Sequence, residues 1–208
     1  MSPEEYKAIL AKYLPAAAVE GVYDFMNRNN VYLHITRKRV SKLGDYRWPQ
    51  PHHNYHEISV NGDMNPYQFL QVMLHEMAHL NNYQRYGKDI QPHGHQWQEE
   101  YRQLLREYLA CFPDDVAALI TRYTARVPLY HTVGKQIDAL LCHYDLDYTP
   151  SDDLTLDQLT PGTRFRIIAK PQRMFRAIEK RRTRWLCLCL DDNKKYLVSG
   201  SAKVIVWN

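Results

Sequence analysis

The sequence predicts an α+β fold: a helix-rich domain followed by a small C-terminal β-barrel. Three observations carry that expectation. Helical periodicity dominates residues 2–29 and 65–141, with only short strand-like runs between them. Residues 163–208 break instead into five short runs of strand composition separated by turn signals, the pattern of a small barrel. Charge changes sign at the same place: residues 163–208 hold 12 Lys+Arg against 3 Asp+Glu, and the 162 residues before them hold 15 against 20. The expected boundaries are residues 1–147 for the body, 148–162 for an acidic linker and 163–208 for the basic barrel.

The elements follow in order. Ser2-Pro3-Glu4-Glu5 offers a cap and a first-turn proline, and Tyr6, Ile9, Leu10 and Tyr13 continue at helical spacing. Pro15 ends that run, and Ala16–Asn29 reads as a second helix. Val31–Thr36, Leu43–Trp48 and His56–Val60 are strand candidates, and Asn61-Gly62-Asp63 is a turn. Asn65-Pro66 opens the clearest helix, with Asn65 as cap, Pro66 at the first position and Gln68 at the reciprocal capping-box position. Apolar residues run densely from Tyr67 to Leu80, so this helix should be buried on most sides; Gly87 marks its end. Another helix begins near Gly94 and carries Trp97, Tyr101, Leu104, Leu105 and Tyr108, with helical segments continuing at Val116–Arg126 and Ile137–Leu141. The five later strand candidates are Thr163–Ile168, Met174–Ile178, Arg184–Leu190, Lys195–Val198 and Val204–Trp207, with Lys170-Pro171 among the turn signals between them.

Composition narrows the classes. With 45% hydrophobic and 24% charged residues, the chain is neither collagen-like, low-complexity nor fully disordered. Met1-Ser2-Pro3-Glu4-Glu5-Tyr6 has no basic start and no apolar core of a signal peptide, and no apolar run approaches the ~20 residues that span a bilayer. The expectation is a cytoplasmic chain without a membrane partner. Cys111, Cys142, Cys187 and Cys189 form no C-x-x-C pair and read as free thiols of a reducing compartment. The alternative for them is a metal site assembled from Cys142, His143, Cys187 and Cys189.

Chemistry is concentrated on the dense helix, where His75-Glu76-Met77-Ala78-His79 is an H-E-x-x-H. Residues four apart lie one above the other on a helix face, so both imidazoles can reach a single ion. Neutral imidazole suits zinc, and Glu76 can reach the open coordination position to take a proton from water there. As core residues alone, two histidines and a glutamate would need buried partners, which ligation supplies. A third ligand is required. The elongated H-E-x-x-H-x-x-G-x-x-H signature fails, because Asn82 and Arg85 occupy its Gly and His positions. The candidates are His93 or His95, in Pro92-His93-Gly94-His95-Gln96-Trp97, and Glu99 or Glu100 on the next helix.

Leu74-His75-Glu76-Met77-Ala78-His79-Leu80, followed by Pro92-His93-Gly94-x-x-Trp97, resembles the SprT/Spartan metalloprotease domain, which pairs H-E-x-x-H with a third histidine in an H-G-x-x-aromatic motif. Lys42-Leu43-Gly44-Asp45-Tyr46, His56-x-Ile58-x-Val60-Asn61 and Asn65-Pro66-Tyr67-x-Phe69-Leu70 extend the resemblance, which covers about residues 5–145 and is strongest to bacterial members. It implies a zincin-like metalloprotease body, a zinc ion held by His75, His79 and His93, Glu76 as general base, and hydrolysis of protein substrates, DNA-associated proteins among them. His95 is the main rival to His93 as ligand, and its other reading is a solvent-facing polar residue of the new helix. Many members end in a zinc ribbon with two cysteine pairs, and no such pairs stand in this sequence. A second oxyanion donor is not assignable among 16 tyrosines.

Two further features complete the expectations. His52, His53 and His56 cluster before the catalytic helix, and His56–Val60 is a candidate strand for pairing with extended substrate. In the tail, nine Lys and Arg crowd residues 164–184, with Phe165, Met174 and Phe175 interleaved and Trp185 following. On a barrel these residues would present a positive face to nucleic-acid phosphates, with aromatics available for stacking. The competing functional class is a nucleic-acid-binding module whose metal is structural or catalytically idle; an intact Glu76 argues against it.

Overall fold

Two open sheets organise the chain, which divides into two compact units, residues 1–137 and 138–208. The computed structural model describes residues 2–126, 128–129, 131–145, 154–168 and 170–207. Residues 148–153 of the expected acidic linker lie outside the described residues. No helix among the described residues is long and apolar enough to cross a membrane.

The first unit opens with α1 (Pro3–Leu10). The Ser2 hydroxyl accepts from the Glu5 amide at 3.2 Å, and the Ser2 amide donates to the Glu5 carboxylate at 2.8 Å, so the two residues cap the helix reciprocally. α2 (Val19–Arg28) buries Val22, Phe25 and Met26. Three strands follow: β1 (Val31–Thr36), β2 (Gly44–Arg47) and β3 (His56–Asn61), in the order β1-β3-β2. β1 runs parallel to β3 and β2 antiparallel to it. The central position of β3 explains why Ile58 and Val60 are fully buried. It also corrects the expectation that His56–Val60 pairs with substrate. Both edges of that strand are already hydrogen-bonded, and among the described residues the free edges of this sheet belong to β1 and β2.

α3 (Pro66–Tyr86) forms as its ends dictate. Asn65 Oδ1 accepts from the amides of Tyr67 and Gln68 at 3.1 and 3.0 Å, Pro66 takes the first position, and Gly87 ends the helix at φ +79°, where a side chain would be strained. Phe69, Leu70, Met73, Leu74, Met77, Ala78 and Leu80 have no exposed surface, so α3 is the core of its unit. α4 (His95–Glu107) packs against it through Trp97, Tyr101, Leu104 and Leu105. An Arg85–Glu100 ion pair at 2.8 Å ties the end of α3 to a carboxylate that is only 2% exposed. α5 (Asp114–Tyr123) follows, and α6 (His131–Leu141) continues past residue 137, where the first unit ends.

The second unit holds β4 (Arg164–Ile167), β5 (Lys170–Lys180), β6 (Arg184–Cys189), β7 (Lys195–Ser199) and β8 (Val204–Trp207), antiparallel in the order β7-β6-β5-β4-β8. The expected barrel is not formed. β7 and β8 are the opposite edges of an open sheet, and no pairing joins them among the described residues. β8 returns to β4, and the apolar face is covered by Leu156 and Leu159 from the segment before β4 rather than by strand closure. The fold is therefore mixed α/β with two open sheets. Lys170-Pro171, expected in a turn, lies inside β5, next to an irregular step in its pairing with β4.

Candidate metal centre

α3 supplies His75 and His79 one turn apart, with ring centroids 5.0 Å from one another. His93 comes from the segment between α3 and α4. Its backbone sits at φ +57°, a left-handed conformation rare outside glycine that costs about 1–3 kcal/mol and persists only where neighbours impose it. Those neighbours are identifiable. The Gly94 amide donates to the Gln91 carbonyl at 3.0 Å, and a Cβ on Gly94 would crowd that same oxygen, so the turn takes glycine. Gln98 donates its side-chain amide to the His93 carbonyl at 3.1 Å and accepts from the Leu129 amide at 2.9 Å.

The result is convergence. His93 Nε2 stands 3.0 Å from His79 Nε2 and 3.1 Å from His75 Nε2. Zinc–imidazole bonds of about 2.0–2.1 Å at tetrahedral angles would set the nitrogens roughly 3.3 Å apart. The observed spacing fits such an ion with a shift of a few tenths of an ångström. Burial, followed by the neighbouring rings His79 and His93, lowers the pKa of His75 to about 3. Burial and then His93 lower that of His79 to about 4, and burial lowers that of His93. All three imidazoles are therefore neutral near pH 7, the form that ligates metal. Trp97 lies against all three, with ring centroids 4.6 Å from His75, 5.2 Å from His79 and 4.6 Å from His93. Its buried indole N–H has no hydrogen-bond partner among the described residues.

Glu76 is 5% exposed. Burial, and then Asp45, push its pKa up to about 8, opposed by Arg39 and Lys42. A Cβ on Gly44 of β2 would overlap Glu76 Oε1, so the carboxylate rests directly against the strand backbone. Tyr46, two residues on, stacks parallel to His79 with centroids 6.5 Å apart, and its hydroxyl is hydrogen-bonded to His56 Nδ1 at 2.9 Å. Burial raises the pKa of that hydroxyl. β2, α3 and the segment before α4 border a cleft of about 380 Å³ that contains the three imidazoles and Glu76.

The remaining candidates lie elsewhere. His95 is the exposed first residue of α4 and is outside the cluster. Glu99 is paired with Arg102, and Glu100 with Arg85. No disulfide joins the four cysteines, and the cysteine–histidine site is not assembled among the described residues. His53 stacks on Tyr55 at 4.2 Å, and neither it nor His52 lines the cleft. Sequence reasoning missed Gly44, Tyr46, Trp48 and Tyr83 as cleft residues. Gly44 and Tyr46 stood in the Lys42–Tyr46 motif, but nothing local says that this glycine faces a carboxylate.

Fold and site together define an α/β domain with a candidate metal centre on an H-E-x-x-H helix. Residues 18–116 match the SprT-like family, and the chain therefore contains an SprT-like domain, a domain of a protease-associated family. Comparison with curated proteins and with solved structures finds no match.

Proposed function

We propose that the chain is a zinc-dependent endopeptidase of SprT-like type. The observation that supports this best is the convergence of three neutral imidazoles beside the buried carboxylate of Glu76, in a cleft bordered by a strand edge. His75, His79 and His93 would hold the zinc ion, which when bound supplies Lewis acidity toward water and the scissile carbonyl. Burial holds Glu76, seated against Gly44, toward its neutral form; a dication at the imidazoles would favour the carboxylate, which takes the proton of the attacking water and passes it to the leaving amine. The free edge of β2 offers backbone donors and acceptors to an extended peptide, so an unfolded segment is the natural substrate. Four cysteines with no disulfide among them are in keeping with a reducing, cytoplasmic setting.

The test compares wild-type and Glu76→Gln full-length chains for zinc content and for cleavage of an unfolded protein, with and without DNA. The expected result is about one zinc per chain in both and cleavage by the wild type alone. Wild-type protein that binds no zinc would refute the proposal.

A nucleic-acid contact is proposed for the second unit. Arg164 and Arg176 stand directly opposite each other on β4 and β5, and both are exposed. Like charges so placed destabilise a sheet, and phosphates would relieve the repulsion. Arg164→Glu combined with Arg176→Glu should abolish salt-sensitive binding of DNA; unchanged affinity would overturn the assignment.

A further inference from the structure

We propose that Trp48 is the specificity-determining residue of the cleft, a shelf for an aromatic or large apolar substrate side chain next to the scissile bond. This rests on the metallopeptidase reading above and names the substrate class that reading leaves open.

Trp48 follows β2 directly and is 44% exposed at the cleft, although burial of an indole is strongly favourable. Its ring lies nearly parallel to that of Tyr83, with 8° between the planes and 6.0 Å between centroids. One face of the indole is thus supported while much of its surface stays open. The shelf is linked to the metal site on both elements. Tyr83 is one helical turn beyond His79 on α3, and Tyr46, two residues before Trp48, stacks on His79. A helical turn rises about 5.4 Å and an extended peptide about 3.3 Å per residue. A peptide whose scissile carbonyl lies at the imidazoles therefore brings a side chain one or two residues away to Trp48.

Of the two lysines lining the cleft, Lys42 is paired with Asp45 at 2.9 Å. The edge of β2 beside the shelf pairs with a peptide backbone and not with a nucleobase, which favours a peptide side chain on the shelf. Ile90 and Pro92 add apolar surface to the lining.

The experiment uses the zinc-loaded full-length chain and two probes, the hydroxamates of N-acetyl-phenylalanylglycine and N-acetyl-alanylglycine, with binding measured by calorimetry. The hydroxamate anchors each probe at the metal, so the side chain alone differs. The phenylalanine probe should bind roughly tenfold more tightly to the wild type, the scale of discrimination an apolar pocket provides. Trp48→Ala should bring the two within about twofold while zinc content stays the same, and Trp48→Phe should restore the preference. Equal affinities in the wild type would overturn the shelf and leave the metal site standing. Failure of both probes to bind in a zinc-dependent way would overturn the metal reading and the shelf with it. Displacement of the phenylalanine probe by a single-stranded oligonucleotide would assign the shelf to a base and also overturn the proposal.

Discussion

The carboxyl group of Glu76 occupies the space that a side chain on Gly44 would need. A Cβ built there would overlap Oε1 and stand 2.9 Å from Cδ and 2.8 Å from Val72 Cγ1. Gly44→Ala should therefore displace the carboxylate without touching the imidazoles. Zinc content should be unchanged, and cleavage should fall by about 100-fold, the scale of a 1 Å misplacement of a reacting group. Turnover and metal analysis on the same preparation check this. Full activity would show that Glu76 tolerates displacement.

Metal should also act as a stabiliser. A ligand that binds only the folded chain adds about 2.7 kcal/mol at 100 times its dissociation constant. Zinc should raise the thermal midpoint of the full-length chain and a chelator should reverse the rise. His93→Ala should abolish the response, since His93 faces both of the other ligands. Calorimetric scans with and without zinc read the effect directly.

The Arg85–Glu100 pair should matter unequally to its two partners. Arg85 is 57% exposed and Glu100 only 2%, and the second Glu100 oxygen has no partner among the described residues. Arg85→Ala leaves a buried carboxylate alone and should cost about 1–3 kcal/mol, discounted from a fully buried pair. Arg85→Ala combined with Glu100→Gln should recover part of that loss. Urea denaturation of the three chains measures it, and equal stability of wild type and Arg85→Ala would contradict it.

Acid should weaken the second unit through Asp157. The indole N–H of Trp185 at 2.9 Å and then Lys180 at 3.1 Å hold this carboxyl below its ordinary pKa. A lowered carboxyl pKa contributes stability that is complete above about pH 4 and is lost as the pH falls through the folded value. Asp157→Asn keeps an acceptor for the indole and removes the titration. The stability difference between wild type and variant should therefore shrink below about pH 4, followed by urea denaturation from pH 7 to pH 3.

Much of α3 is legible because its signals are local. Asn65 and Pro66 start it, Gly87 stops it, and the four-residue spacing puts His75 and His79 on one face. His93 is less legible, since spacing alone leaves His95 and the glutamates of α4 open; its selection depends on a backbone at φ +57° held by Gln98. Strand order is not legible at all. Nothing in Val31–Thr36 announces a parallel pairing with His56–Asn61 that places β3 in the middle and gives the free edge to Gly44–Arg47. The later sheet fails for the same reason. Each strand segment of 163–208 is found, though β5 begins at Lys170, where a turn is expected; closure depends on which neighbour β8 chooses, and it chooses β4. Arg85 shows the reverse case: it occupies a histidine position of the longer signature, and its partner, Glu100, explains it only once α4 lies beside α3.

Open sheets have a cost in self-recognition. An exposed row of backbone amides and carbonyls will accept any extended strand, a second copy of the chain included. β2 carries Asp45 and Arg47, and β7 follows Lys194 and begins with Lys195, charges that discourage such pairing. The edge that would receive a substrate is thus also an edge at which copies would adhere, and the charges flanking it govern how concentrated the protein can become before it aggregates.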